Sequence, residues 1–520
     1  MDKNIARSLR KVLFLHLDGI AITSTISSMY NKGLIQYISK RKIFSFEEII
    51  DNFPSNDGYI NIALRLLQSQ GWLKKIDNNN YSLTEKGVII LGFSKTYSKI
   101  AVLINKLCKF RYKLFSSSND FSDEFVKYAN YYNKIKNDIS YETKIHFQGL
   151  LVGPALVALG MNGKAEEYLK SSSISITDLD NYPLIKSIIE YFQTINFVNK
   201  NYNLTDVGEF YFKRASAYGV TVSYLPMFFK QDEILFGNPD KIWERDIDGN
   251  ETHVDRTMNV WGSGGAHSTY FNKIDEIICN IFNQPLSEQP IGISDMGCGD
   301  GTLLKHLYNI VKNKTLRGKN LREYPLIIVG ADFNKDARIA SKKTLDKEKI
   351  KNHIIHADIS NPENYASELN IKYNIDLDKL LNVRSFLDHN RIYSKPQKSY
   401  ENINTTSTGA YSFRGRLIPN KELEQNLVEH LYKWSPYVKQ FGLLVLELHC
   451  LPPNLTAKNL GSTTATAYES THGYSDQYIV ELETYLIAAY RAGLIPDPKN
   501  RAKFPDNELA TISINLFKNK

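Results

Sequence analysis

"PIGISDMGCGDGTLLKHLYNIV" (290–311) decides how this chain folds. Ile291–Asp295 reads as a short apolar strand ending in an acid. Gly297, Gly299 and Gly301 form a tight turn, and Thr302–Val311 has the spacing of an amphipathic helix. Glycines let backbone approach a ligand closely, and the first N–H groups of a helix have no partner inside it. Such a turn is built to hold a small polar ligand. A dinucleotide site would space its glycines as Gly-x-Gly-x-x-Gly. Here Thr302 stands where the third glycine belongs, and Asp295 directly before the turn fits badly with a pyrophosphate.

The pattern Asp-x-Gly-x-Gly-x-Gly resembles motif I of class I S-adenosylmethionine-dependent methyltransferases. The segments that follow agree with it. "LIIVGADFN" (326–334) ends in Asp332, placed for ribose hydroxyls, with Phe333 next to it. "NHIIHADIS" (352–360) ends in Asp358, placed near the adenine amino group, followed by Ile359. "KLLNVRSFL" (379–387), "GLLVLELHC" (442–450) and a last strand "TISINLF" (511–517) complete the apolar runs. Strands alternating with helices predict a parallel, doubly wound sheet with ligands at the carboxyl ends of its strands. The competing reading is a nucleotide-binding or dehydrogenase Rossmann domain.

Around this core the composition is ordinary. The 520 residues are 42% hydrophobic and 23% charged, with net charge +8 from 64 Lys+Arg against 56 Asp+Glu, which predicts about three domains. Cys108, Cys279, Cys298 and Cys450 are far apart, so neither a disulfide framework nor a structural zinc site is expected, and a reducing cytoplasm is. The basic N-terminus has an apolar run broken by Asp18 and no small-residue cleavage site, so no signal peptide is read. No stretch reads as the ~18 apolar residues of a membrane helix, so no membrane partner is expected.

The first 215 residues contain a weak repeat. "GWLKKIDNNNYSLTEKG" (71–87) aligns with "NFVNKNYNLTDVG" (196–208), each after an amphipathic run, "INIALRLLQSQ" and "LIKSIIEYFQT". Helices followed by a strand–turn–strand ending in Leu-Thr-acid-x-Gly predict a winged helix, twice. The helices before the wings carry one Arg and one Lys, too few for a DNA-reading helix, so no nucleic acid is expected. The overall expectation is an α/β class I methyltransferase (Rossmann-like) core with a mainly helical N-terminal lid containing two winged-helix-like repeats. The expected domains are 1–95 and 96–215 for the two repeats and their helices, 216–285 for a connecting active-site segment, and 286–520 for the core.

Three clusters stand to carry chemistry. "HVDRTMNVWGSGGAHSTYF" (253–271) is too rich in Gly, polar and aromatic residues for a linker, and Gly262 and Ser263 are its expected cofactor contacts. "VRSFLDHNR" (383–391) ends the fourth strand and supplies Asp388, His389 and Arg391. "ELHC" (447–450) ends the fifth strand with His449 and precedes "YESTHGYSDQYIVELETYL" (468–486). His472 and Gln477 are five residues apart, on different faces of any one helix. They converge only with His472 in a loop and Gln477 in the first turn of a helix running from about Asp476 to Ala492, bent at Gly473 and capped by Ser475 or Asp476. Nitrogen with neutral oxygen, no thiolate and open positions suits iron or manganese. The competing reading is that His472 bonds a loop and Gln477 caps the helix.

Together "HVDRTMNVWGSGGAHSTYF", "DMGCGDG", "VRSFLDHNR" and "ESTHGYSDQY" resemble the metal-dependent C-methyltransferase domains at the start of certain polyketide assembly lines, such as those of apratoxin and saxitoxin biosynthesis. The resemblance covers residues 200–520 well and the N-terminal part in layout. It implies a mononuclear iron or manganese held by His472 and Gln477 with His449 as a third ligand. It also implies methylation of the α-carbon of a malonyl-type unit on an acyl carrier protein or a small-molecule acyl substrate. A metal chelating two carbonyl oxygens stabilises an enolate. His389 or Asp388 is expected to take the proton, with Tyr468 and Tyr474 as weaker candidates, and Arg391 is a further expected catalytic residue. The alternatives are a metal-free O-methyltransferase with a histidine base, and a regulatory protein on a methyltransferase fold. The second is weakened by the intact set Asp295, Gly297, Gly299, Asp332 and Asp358.

Overall fold

In a computed structural model, described over residues 1–77, 79–247, 249–264 and 267–520, the run after Pro290 forms a strand, Gly292–Met296 (β1). Six more follow: Ile327–Asp332 (β2), His353–His356 (β3), Leu380–Ser385 (β4), Leu443–Leu448 (β5), Leu494–Phe504 (β6) and Ile512–Asn519 (β7). They make one sheet in the order β3-β2-β1-β4-β5-β7-β6. The first five strands are parallel, and β7 is antiparallel to both β5 and β6. Ile293 on β1 faces Ile328 on one side and Leu381 on the other. β1 and β5 are buried at every residue, which is why their sequences are mostly apolar and do not alternate with polar residues. Strand order reverses direction at β1 and β4, the point where open α/β sheets take ligands.

The sequence reading lacked β6. Its "LIPDPKNRAKF" carries two prolines and four charges, a poor strand by propensity. It is an edge strand, pairing only with β7, and its register breaks between Pro496 and Arg501. At an edge the missing proline N–H leaves no ladder bond unmade.

The chain divides into two compact units. The sheet unit is 268–409, 418–451 and 477–520, and the other is 1–267 with 410–417 and 452–476. The second contains the repeat. In its first copy Asn80–Leu83 lies between Phe44–Ser45 and Leu73–Lys75 as a three-stranded wing. In the second copy the wing shrinks to two bridges, Ser173 with Asn203 and Val198 with Leu204. The shared Leu-Thr-acid-x-Gly has one physical reason in both places. Thr84 and Thr205 cap the following helices, Glu85–Leu91 and Asp206–Phe212, by accepting from the N–H of Gly87 and Gly208. Those glycines lie on the backbone of the wing's entry, where a Cβ would sit 2.0 Å from the Trp72 carbonyl oxygen or 1.9 Å from that of Phe197.

Helix Asp57–Ser69, in the position of a recognition helix, is buried along most of its length. Its one arginine, Arg65, pairs with Glu469 at 2.9 Å, both side chains nearly sealed from solvent. Glu469 also accepts from Ser69, and Gln70 donates to Thr466 and to Asp18. Helix Ala465–Gly473 is thereby fixed to the first repeat.

Two helices cross closely in this unit, Lys3–Asn31 and Tyr141–Met161. A Cβ on Gly19 would fall 2.3 Å from His146 Cα, and one on Gly149 would fall 2.5 Å from the His16 carbonyl oxygen. Both helices are long and apolar enough to cross a membrane by length and composition, which corrects the expectation that no stretch is. Their most apolar windows are 83% and 78% buried inside the protein, which accounts for the composition.

His16 bonds Tyr218 at 2.8 Å and His146 bonds Tyr97 at 2.8 Å. Burial pushes the first down to about 4 and the second to about 3. Both are neutral when folded, while the unfolded chain takes up protons below about 6.5, the ordinary histidine value. Their contribution to stability is therefore complete above that pH and is lost as pH falls toward 4. Chemical-denaturant midpoints should drop across that window, and drop less in His16→Gln. Gly208→Ala should cost about 1–3 kcal/mol in the same measurement, because the carbonyl it meets cannot move aside.

Candidate active site

The turn after β1 is held in shape by three left-handed glycines, Gly297, Gly299 and Gly301, at φ 80°, 52° and 79°. The N–H groups of Gly297 and Cys298 both donate to the Ala331 carbonyl at 2.7 and 3.0 Å, pinning the turn to β2. Asp332 then accepts from the Gly299 N–H at 3.1 Å and from the Asn334 N–H at 2.8 Å. Asp295 is 1% exposed and its Oδ1 has no partner. Burial and the neighbouring Asp332 raise its carboxyl well above the usual range, and burial raises Asp332 too. Two carboxyls held this way beside the glycine turn are set to receive hydroxyl and ammonium groups of a ligand.

The other expected cofactor residues divide. Phe333 is 64% exposed beside Asp332. Asp358 lies two residues beyond β3 and accepts from the Ser360 N–H at 2.8 Å. Ile359 is in the core, its carbonyl bonded to Trp434 Nε1 at 2.8 Å. Gly262 and Ser263 sit in helix Arg256–Gly264. Gly262 packs on Gly219, where a Cβ would be 2.5 Å from Val220 N, and Ser263 donates back to the Val260 carbonyl. Gly265 and Ala266 of that cluster lie outside the described residues.

The end of β4 touches the glycine turn. A Cβ on Gly297 would meet Leu387 at 2.8 Å, and the preceding Phe386 adopts φ 52°, costly for a side chain of that size. This strained corner carries Asp388 and His389. Asp388 is 1% exposed and accepts from Arg384 Nε at 3.1 Å, His430 Nε2 at 2.8 Å and Tyr485 Oη at 2.5 Å. Burial alone would raise its carboxyl, but the Arg384 guanidinium and then His430 outweigh that and hold it far below the ordinary range. Burial also keeps His430 neutral, down to about 4. So Asp388 is fully ionised and occupied by donors, which corrects its expected role as a proton acceptor.

His389 is placed differently. Its Nδ1 donates to Glu447 Oε1 at 2.6 Å, and Glu447 also accepts from the Asp388 N–H at 2.8 Å and the Leu448 N–H at 2.7 Å. A carboxylate on Nδ1 fixes the tautomer in which Nε2 is the basic nitrogen. The ring borders a narrow cavity lined also by Glu447, Leu448, Tyr478, Val480 and Tyr485. Sequence reasoning missed Glu447, although a lone acid inside "LLVLEL" was a visible signal. Arg391 is buried, donating to Asn426 Oδ1 at 2.7 Å and the Asp388 carbonyl at 2.9 Å, so it braces the corner.

The segment 465–491 departs from expectation. Ala465–Gly473 is a helix with His472 in its last turn and Gly473 within it. The next helix is Leu482–Arg491, with Glu481 and not Ser475 or Asp476 at its N-cap, and Gln477 lies in the loop between. The bend is at Asp476, φ 51°. The expected placement of His472 in a loop and Gln477 in a helix is thus reversed. His472 Nδ1 donates to the Tyr468 carbonyl at 2.8 Å, an arrangement that would aim Nε2 at a ligand. His449 does not fit a metal. It is fully buried, donates to the Val480 carbonyl at 3.2 Å, and its other nitrogen is bonded to Ser513 Oγ at 2.7 Å. Among the described residues no three His, Cys, Asp and Glu side chains are grouped to hold a metal ion. Burial raises the Tyr468 and Tyr474 phenols, so neither is suited to accept a proton, and Tyr474 bonds Thr25.

A sheet of this order, with a glycine turn after β1 and acids after β2 and β3, defines a class I S-adenosylmethionine-dependent methyltransferase core. The AprA MT2-like domain family matches residues 251–515, half of the chain, and the protein belongs to that family. Residues 9–75 match the AprA N-terminal domain and 148–238 the AprA winged helix domain. No curated protein matches in sequence. Among solved structures, an O-methyltransferase family 2 protein from Planctomyces limnophilus in complex with apigenin is 10% identical at TM-score 0.39, covering 98% of this chain and 96% of that one. The CurJ carbon methyltransferase is 10% identical at TM-score 0.31, covering 80% and 98%.

Asp332→Ala should remove S-adenosylmethionine binding in calorimetry, since it loses both the turn's brace and the ligand contact. Wild-type affinity in that protein would contradict the site.

Proposed function

We propose that the protein is a C-methyltransferase acting on the α-carbon of a malonyl or β-dicarbonyl acyl unit, carried on an acyl carrier protein, in polyketide or related natural-product biosynthesis. The observation that supports it most is the His389–Glu447 pair at 2.6 Å, on the loop that packs against the cofactor turn. S-adenosylmethionine supplies a methyl group on an already activated sulfonium. What this chain must supply is a carbon nucleophile. His389 Nε2 takes the α-proton, and Glu447 holds the ring and stabilises the imidazolium that results. The electron pair left on carbon then forms the new C–C bond as the methyl's C–S bond breaks, its electrons going to sulfur and the neutral thioether leaving. Asp388 carries no proton here. It holds Arg384, His430 and Tyr485 so that the corner bearing His389 cannot relax.

The metal enters this proposal in reduced form. His472 through Nε2 and the Gln477 amide oxygen are the donors the motif supplies, without His449. Bound there, iron or manganese would supply Lewis acidity to two carbonyl oxygens. Protein purified without oxygen should contain about one such ion per chain, lost in His472→Ala and kept in His449→Gln. Metal retained in the first and lost in the second would reverse this assignment.

Incubating a malonyl thioester with the protein in D2O, without cofactor, reads the base alone. Exchange at the α-carbon should be fast, and Glu447→Gln should slow it about a hundredfold or more while cofactor affinity stays unchanged. With cofactor added, the product should carry its methyl on carbon by NMR. A methyl on oxygen would favour the metal-free O-methyltransferase with the same histidine base.

A further inference from the structure

The charge of this protein is concentrated in one place. Residues 302–351 hold 13 Lys+Arg against 5 Asp+Glu, leaving 51 of each sign in the other 470 residues. The whole excess of +8 therefore resides in fifty residues. They include the helices Thr302–Lys314 and Lys335–Lys347 of the sheet unit, tied together by Lys305 and Glu348 at 2.6 Å. Helix Lys335–Lys347 buries Ser341 and Leu345 and turns its lysines outward. Lys335, Lys343, Lys347, Lys349 and Lys351 are exposed and enter no ion pair among the described residues. Their field is felt by a neighbour: His353 is pushed below its ordinary value by burial first, then by Lys351 and Lys342.

Asp336, Asp346 and Glu348 lie on the same stretch, and the remaining excess of positive charge costs stability through repulsion unless something of opposite sign meets it. We infer that the Lys335–Lys351 face is a docking surface for an acidic protein, the carrier that presents the acyl unit. Its identity as the carrier rests on the carrier-bound substrate proposed above. The chemistry of the face selects among anionic partners. Its free cations are lysines, point charges that meet scattered carboxylates, where nucleic-acid surfaces use arginine forks and aromatic platforms. No aromatic residue occurs between Lys335 and Lys351. A membrane-binding helix would need an apolar stripe, and Ile339 is the one large apolar side chain exposed on this helix.

The test uses the full chain and the variant Lys343→Glu/Lys347→Glu/Lys349→Glu/Lys351→Glu, none of whose sites touches the cofactor turn or His389. Binding of a fluorescently labelled, malonyl-loaded acyl carrier protein of net negative charge is read by anisotropy at low and high salt. Turnover of malonyl-pantetheine, which has no protein to dock, is measured alongside. The inference expects wild-type binding that weakens with salt, at least about tenfold weaker binding by the variant, and unchanged pantetheine turnover. Equal carrier affinity in the two proteins would overturn it. So would charge-dependent binding of a DNA duplex or of phosphatidylserine vesicles tighter than that of the carrier. Absence of pantetheine methylation in the wild type counts against the proposed function instead, because the anisotropy arm does not depend on turnover.

Discussion

Three side chains from three elements converge on the carboxylate of Asp388, and its backbone N–H ties it to a fourth. Arg384 comes from β4, His430 from helix Asn420–Trp434, Tyr485 from helix Leu482–Arg491, and the Asp388 N–H reaches Glu447 on β5. An ionised carboxylate sealed in protein is tolerable only when its oxygens are filled by donors. That requirement fixes the distance between β4 and β5 and the placement of both covering helices. His389 inherits its position from this arrangement. It is one residue away, it meets the second oxygen of Glu447, and it cannot swing without disturbing the buried ion pair. The strained Phe386 and the contact of Leu387 on Gly297 are the same constraint seen from the cofactor side.

The core was legible where a single physical rule governs each residue. Three glycines in a left-handed turn, an acid at the end of β2, and mostly apolar strands announce themselves without tertiary context. β6 was not, because its prolines are excused only by its edge position, and nothing local says which strand is an edge. Helix Ala465–Gly473 was missed for a related reason. "ATAYESTHG" has no apolar stripe, since it is buried through hydroxyl and carboxylate bonds, such as Ser470 to the Ala21 carbonyl.

The candidate site shows the same division. Histidines near strand ends look alike in sequence, and their roles are decided by what sits on each ring nitrogen. His389 has a carboxylate on one nitrogen, the arrangement from which its role as a base is proposed. His449, on the extension of the next strand, is used up by Ser513, which belongs to a strand that enters the sheet antiparallel and far away in sequence. Glu447 and His449 are two residues apart, and only the pairing partners separate a positioning carboxylate from a structural imidazole.

The Arg65–Glu469 pair has a consequence for how such a protein changes over generations. Glu469 is encoded among the methyltransferase strands, yet it forms its ion pair with a residue four hundred positions upstream. Losing either partner strands a buried charge at a cost of about 3–5 kcal/mol. Recombination that joins a new N-terminal half to an old methyltransferase half would therefore misfold unless both ends of the pair travelled together. The two halves are thus heritable as one unit, although each has a recognisable fold of its own.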